Sequence, residues 1–294
     1  VISGLSRRAV YGLATNSQIE SLVRSNQVTE DLAYRAARRY VAGRTLDEAL
    51  VTVRRLVGSG LAVSLDLFGE GNDDEVDVGR VAEGYREAAA ALADIGGDVY
   101  LEVVPSHIGL DLGIDTCRRY VEQLVEVLPS GSRLEISAEE NWQAPSIMDL
   151  TLGLAETGAP VLATVQANLR RSPDDVDRLV SAGVPVRLVK GAYLESGDVA
   201  HAWGEETDLA YVRLAHQVHA GGAGLTLATH DPVIREALLA ALPGTTVEML
   251  LGVREDDARR LVGRGIPVRV YAPYGESWFR YWLRRVAEAQ GSSR

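Results

Sequence analysis

The chain has 294 residues, 46% of them apolar, and a formal net charge of −11. That length suits one α/β barrel of roughly 250 residues, and the acidic balance argues against a nucleic-acid backbone as partner. No apolar run approaches the roughly 18 residues of a membrane span, and the single cysteine, Cys117, fits a reducing compartment without disulfides.

The opening stretch, VISGLSRRAVYGLATNSQIE, lacks the long apolar segment of a secretory signal. From Leu5 to about Val57 the apolar spacing predicts helices, with Thr45 as the N-cap of the segment that begins at Leu46. A helical arm over 1–58 is therefore expected ahead of a catalytic unit over 59–294.

Beyond the arm the pattern changes. Eight β-rich runs alternate with amphipathic helical segments such as Val78–Leu92 and Pro173–Ser181. The runs are LAVSLDLF from Leu61, VYLEVV from Val99, RLEISA from Arg133 and PVLATVQ from Pro160. They continue with PVRLVKG from Pro185, LTLATH from Leu225, TTVEMLL from Thr245 and PVRVYAPY from Pro267. Glycines shortly before several strands, as in SAGVPV and GRGIPV, supply the helix-stop punctuation of βα units. Such alternation implies a parallel sheet with right-handed crossovers, and eight repeats imply a closed (βα)8 barrel. No G-x-G-x-x-G turn follows any strand, which counts against a dinucleotide fold.

Two metal readings are weak. GNDDEVD, from Gly71, lacks the spacing of a calcium loop. His216 and His219 stand i, i+3 on an outer helix with no third ligand in view.

A barrel places its chemistry at the carboxyl ends of its strands. Collected there are Asp66 and Glu70, Gln166, Arg187, Lys190 and Tyr193, Thr229 and His230, and Tyr271 and Tyr274. His107, Glu139 and Glu140 follow strands two and three and stand near the same end. Lys190 is the one lysine in the chain. On a barrel strand such a residue suits a Schiff base.

The segment YAPYGESWFRYWLRRVAEAQ closes the chain with a helix from about Ser277. Its apolar side carries Phe279, Trp282, Leu283 and Val286, and its opposite side carries Tyr281, Arg284, Arg285 and Glu288. A polar stripe alone is ordinarily a solvated face. This helix, however, starts immediately beyond strand eight and so overhangs the mouth. Adjacent guanidiniums there make a fork for a carboxylate or phosphate, and the tyrosines suit a substrate with an apolar body.

The stretches RLVKGAY, ATH and RVYAPYG…W…Y..RR..E resemble the proline dehydrogenase family of flavin barrels, over about Leu61 to Glu288. The resemblance implies an FAD-dependent oxidoreductase with a C-terminal helix packed over the mouth. It implies that Arg187 lies near the flavin N5, that Lys190 and Gly191 contact FAD, and that Gln166 binds the pyrimidine edge. Thr229 and His230 would line the cofactor, and Glu288 would reach the ribityl or nearby polar groups. Arg284 and Arg285 would hold the substrate carboxylate, with Glu70 pairing to Arg284 as a gate. Ala192, Tyr193, Leu250, Tyr271 and Tyr281 would wall the ring pocket, with Arg187, Tyr271 and Tyr281 at the reacting centre. The substrate expected is proline or a related carboxylated amine. The acceptor is a quinone, oxygen or a partner flavoprotein, and the location is the cytoplasm, with peripheral membrane contact left open.

The likeness has gaps. Family members carry on strand two a lysine that pairs with the substrate carboxylate; here Glu102 or Val104 occupies that place. Ser137 stands where an aspartate is usual, Asn168 where an aromatic is usual, and Thr246 and Glu248 where Glu and Gln are common. Retained redox machinery with an altered substrate is the expectation, such as a proline derivative or another N-substituted amino acid of specialised metabolism. A Schiff-base lyase using Lys190 and a non-catalytic barrel are the competing readings.

Overall fold

The computed structural model describes residues 21, 23, 25–69 and 71–291; the side chains of residues 284 and 287–291 are outside the described set. Two well-capped helices come first. In α1 (Gln27–Ala37) the side chain of Asn26 accepts from the Val28 amide, and in α2 (Leu46–Gly58) Thr45, the cap expected from the sequence, accepts from the Glu48 amide. Each cap is worth about 1 kcal/mol.

Eight parallel strands then close into a barrel in chain order: β1 (Ala62–Leu67), β2 (Val99–Val103), β3 (Leu134–Ile136), β4 (Val161–Gln166), β5 (Val186–Val189), β6 (Leu225–Ala228), β7 (Thr246–Leu250) and β8 (Val268–Tyr274). Closure is made by β1 on β8, with Val63 opposite Val270. All eight strands fall inside the runs seen in the sequence. The intervening helices are α3 (Glu75–Ala91), α4 (Ile114–Val127), α5 (Ala144–Glu156), α6 (Ser172–Ser181), α7 (Glu205–Ala220), α8 (Pro232–Ala241) and α9 (Glu255–Gly263). Helix α3 starts three residues before the expected Val78, because the Asp74 carboxylate caps it by accepting from the amides of Val76 and Asp77.

Period-2 alternation sorts each strand into two faces. Val63, Leu65, Leu101, Leu134, Val186 and Leu188 join the helix side chains in the main core. The alternate positions point into the barrel, and they are polar: Ser64, Asp66, Glu102, Glu135, Arg187 and Glu248 are all buried there. Barrel interiors are more commonly filled by branched apolar side chains. At the amino end of the strands Arg269 forms a plug. Its Nη1 donates to the Val63 carbonyl at 2.8 Å, its Nη2 to Asp98 at 2.6 Å, and its guanidinium lies 3.4 Å from the centroid of the Tyr100 ring.

The last helix, α10 (Trp278–Gly291), begins just beyond β8. Its Trp278, Phe279 and Tyr281 form a second core with Ala37 and Val41 of the arm, flanked by Tyr34, Phe68, Trp282 and Leu283. The Arg44 guanidinium lies 4.1 Å from the Tyr34 ring centroid and 5.6 Å from that of Trp278. Backbone bonds add to this join: the Ala42 amide donates to the Pro273 carbonyl at 2.7 Å, and the Gly275 amide to the Gly43 carbonyl at 3.0 Å. Helix α2 goes further and shares the barrel's main core through Ala49, Leu50, Val53 and Leu56. No helix among the described residues is long and apolar enough to cross a membrane.

Candidate active site

The polar stripe of α10 is not simply solvated. Tyr281 is buried, with its ring 5.0 Å from Phe68 and 6.1 Å from Tyr271 at the end of β8. The Arg285 guanidinium lies 4.9 Å from the Tyr281 ring centroid. Its charge is felt at His230, at the end of β6. Burial, then Arg285 and Arg254, push that imidazole down to about 4. The neutral ring is fixed by its neighbours: Nε2 accepts from the Leu250 amide at 3.1 Å, and the His230 carbonyl accepts from Arg254 at 2.6 Å. A ring whose Nε2 accepts carries its proton on Nδ1. So Tyr281, Arg285, His230, Leu250 and Tyr271 meet over the strand ends. The side chains of Arg284 and Glu288, and all of Glu70, lie outside the described residues.

Below them sits a charged floor. Arg187 of β5 lies 2.5 Å from Glu248 of β7, 2.8 Å from Glu135 of β3 and 3.5 Å from Glu102 of β2. Its guanidinium carbon is 5.7 Å from the Tyr271 ring centroid. Ser64 donates to Glu135 at 2.6 Å, Ser137 donates to Glu102, and the Tyr271 hydroxyl donates to Asp66 at 2.5 Å. Burial drives the Glu102 and Glu248 carboxyls up, with Arg187 pulling the other way; Glu248 reaches about 7. Burial works against the Arg187 charge, but the surrounding carboxylates outweigh it and hold the guanidinium firmly protonated.

The strand-five loop makes a third part. Lys190 bridges Asp208 of α7 at 2.6 Å and Asp231, the N-cap of α8, at 3.0 Å. Gly191 follows with φ of +111°, and a Cβ there would fall 2.0 Å from the Asn168 side chain. Asn168 Oδ1 is buried with no donor. Ala192 is exposed and Tyr193 half-buried beyond them. Gln166 is buried at the end of β4 and donates through Nε2 to the Glu139 carbonyl at 2.7 Å. Thr229 accepts from the Asp231 amide at 3.1 Å.

Other mouth residues turn out to be packing. His107 is buried against Gly69 and Tyr85, and burial pushes it down to about 4. Glu139 accepts from the Ser106 amide at 2.7 Å and from its hydroxyl, which ties two loops together. His216 is exposed on α7, and no group that could hold a metal ion occurs among the described residues. Glu135 is the member of this charged floor that the sequence reading passed over. Its signal was present in L-E-I, an acid alternating with apolar residues inside a strand.

Comparison with known proteins fits this architecture. A family model described as proline dehydrogenase matches residues 49–294. Proline dehydrogenase 1 of Bacillus subtilis subsp. natto is 34% identical over 263 residues, covering 86% of each chain. Proline dehydrogenase of Deinococcus radiodurans is 32% identical over 308 residues, covering 98% of this chain and 95% of its own. Among solved structures, proline utilization A of Bdellovibrio bacteriovorus, inactivated by N-propargylglycine, superposes with a TM-score of 0.80 at 19% identity. The match covers 98% of this chain and 36% of that one, so the present chain spans about a third of that longer protein.

Proposed function

This chain belongs to the proline dehydrogenase family, and from that premise we propose that it oxidises proline or a related carboxylated amine with FAD. Hydride leaves the carbon beside nitrogen and an imine results. The observation that carries the reading is the orientation of α10, which brings Tyr281 and Arg285 over the strand ends, above Arg187.

The residues present suit a flavin. Gly191, with no side chain and a positive φ, leaves backbone open for close approach beside Asn168, whose buried carbonyl oxygen lacks a donor. Lys190, Gly191, Gln166, Thr229, His230 and Glu288 would hold the cofactor, with Arg187 as the positive group nearest its reacting atom. Bound FAD supplies the two-electron sink that side chains lack. Arg284 and Arg285 would take the carboxylate, with Glu70 as the partner of Arg284. Tyr271, Tyr281, Tyr193, Ala192 and Leu250 wall the apolar body of the substrate and keep water from the product while it is held. Residues 59–294 form the catalytic unit, and within the 1–58 arm Ala37 and Val41 pack against the closing helix. One buried cysteine suits a cytoplasmic setting.

A second reading keeps the chemistry and changes the substrate to a different N-substituted amino acid. It is favoured by Glu102, an acid 3% exposed on the strand where the resemblance expects a lysine. The lyase reading has less support, since Lys190 is engaged by two carboxylates.

Purified protein should bind FAD and be bleached under anaerobic conditions by an amino acid with a substituted nitrogen. L-Proline, N-methyl amino acids and N-propargylglycine make the test panel, and adding a quinone, oxygen or an electron-transfer flavoprotein afterwards identifies the acceptor. A colourless protein that takes up no added FAD refutes the proposal.

A further inference from the structure

The floor of the barrel holds more negative charge than it neutralises. Three glutamates surround Arg187, all 3% exposed or less, and Asp66 stands beside Glu102 across the β1–β2 pairing. Arg187 Nε lies 2.8 Å from Glu135 and 2.5 Å from Glu248 and forms a hydrogen bond with neither. An uncompensated buried carboxylate costs several kcal/mol. The cluster is therefore a place that takes up protons.

The three acids are not equivalent. Glu135 Oε2 accepts from Ser64, while its Oε1 lies 2.8 Å from Arg187 Nε without forming a hydrogen bond. Glu248 stands two residues inside the end of β7, is paired in register with the plug residue Arg269, and accepts a hydrogen bond at neither oxygen. Glu102 is the penultimate residue of β2, in register with Asp66 of β1 and Glu135 of β3. Its Oε1 is held by Ser137 and Arg187, while its Oε2 is buried with no donor. Facing it are Asp66 from β1, Glu135 from β3, Arg187 from β5 and Glu248 from β7.

Resting on the amine-oxidation reading above, we propose that Glu102 accepts the proton that the substrate ammonium must lose before hydride can leave. The N–H bond breaks with its electron pair remaining on nitrogen, and an O–H bond forms on Glu102 Oε2. No electrons change centres in this step. The freed lone pair is what allows the adjacent C–H to depart as hydride. Burial, and then the like charge of Glu135, Asp66 and Glu248, make the acceptor more basic, while Arg187 pulls the other way. The substrate class that follows is a secondary or tertiary ammonium whose nitrogen points down at Glu102 while its carboxylate is held from above by α10.

The test compares holoenzyme with Glu102→Gln and Glu102→Asp, following anaerobic flavin reduction by L-proline across pH. Glu102→Gln is expected to slow reduction about a hundredfold or more at neutral pH, with the deficit closing as pH approaches the substrate's own amine pKa. Glu102→Asp retains the wild-type profile in weakened form. A second readout needs no turnover. With the flavin already reduced by dithionite, infrared difference spectra on adding L-proline should show a new neutral-carboxyl carbonyl band in wild type, absent from Glu102→Gln. A loss equal at every pH, no loss, or no new carboxyl band in wild type overturns the proposal. Failure of the underlying reading looks different: the wild-type protein then takes up no FAD or is not bleached by any amine in the panel.

Discussion

The guanidinium of Arg285 lies 4.9 Å from the ring centroid of Tyr281, one turn earlier on the same helix. That i, i+4 pairing stacks a cation on a ring which itself leans on Tyr271 of β8, 6.1 Å away. A long, mobile side chain is thereby given a preferred direction over the mouth.

Arg285→Met should therefore weaken substrate binding while leaving the cofactor in place. Loss of one hydrogen bond to a charged group raises KM by about 10- to 100-fold, whereas the flavin-to-protein ratio stays at the wild-type value. An unchanged KM removes the carboxylate assignment.

Trp278→Ala tests the arm. Its indole is fully buried between α1 and α10, and truncating such a side chain costs about 3–5 kcal/mol. Thermal unfolding should show a lowered Tm. Arg44→Ala, which removes the cation over the Tyr34 and Trp278 rings and its pairing with Glu30 and Asp31, should cost about 1 kcal/mol.

Gly191→Ala meets two obstacles: a φ of +111° and the Asn168 side chain 2.0 Å from the added carbon. The variant should purify with less flavin than wild type. Pairing it with Asn168→Ala should restore part of the loss, because only the steric half of the problem is then removed. Full additivity of the two changes in a cofactor titration argues against the contact.

Acid sensitivity follows from two buried imidazoles. His107 and His230 are both pushed down to about 4, chiefly by burial. Unfolded histidine titrates near 6.5, so between that value and about 4 the unfolded chain binds more protons than the native one. Stability must then fall as pH drops through this window, by roughly 3 kcal/mol per residue at most. Denaturant titrations from pH 7 to 4 should show it, and His107→Gln should flatten the slope.

Glu248 contributes with the opposite sign. Its carboxyl is raised to about 7, mainly by burial, so the native state keeps a proton that the unfolded chain releases near pH 4.3. Its share of stability is present at low pH and is lost as pH rises toward 7. In Glu248→Gln that loss should vanish, so between pH 5 and 8 the change in stability with rising pH should be more favourable than in wild type.

The strands were legible because alternation and glycine punctuation are local signals, and each run contained its strand. Thr45 was legible for the same reason, since a cap is decided within four residues. The partners of Arg187 were not. Glu102 lies 85 positions away in the chain, and only the stagger of the closed barrel brings β2, β3, β5 and β7 round one guanidinium. The apolar side of α10 was plain from its spacing. That Tyr281, on the other side, is also buried depends on Phe68 and Tyr271, which no helical periodicity reports.

Lys190 has one more consequence. Among the side chains it offers the sole primary amine, and 21% of its surface stays open to solvent between Asp208 and Asp231. Acylating reagents thus have a single interior address on this molecule, and how fast that address is modified becomes a direct gauge of whether anything is shielding it.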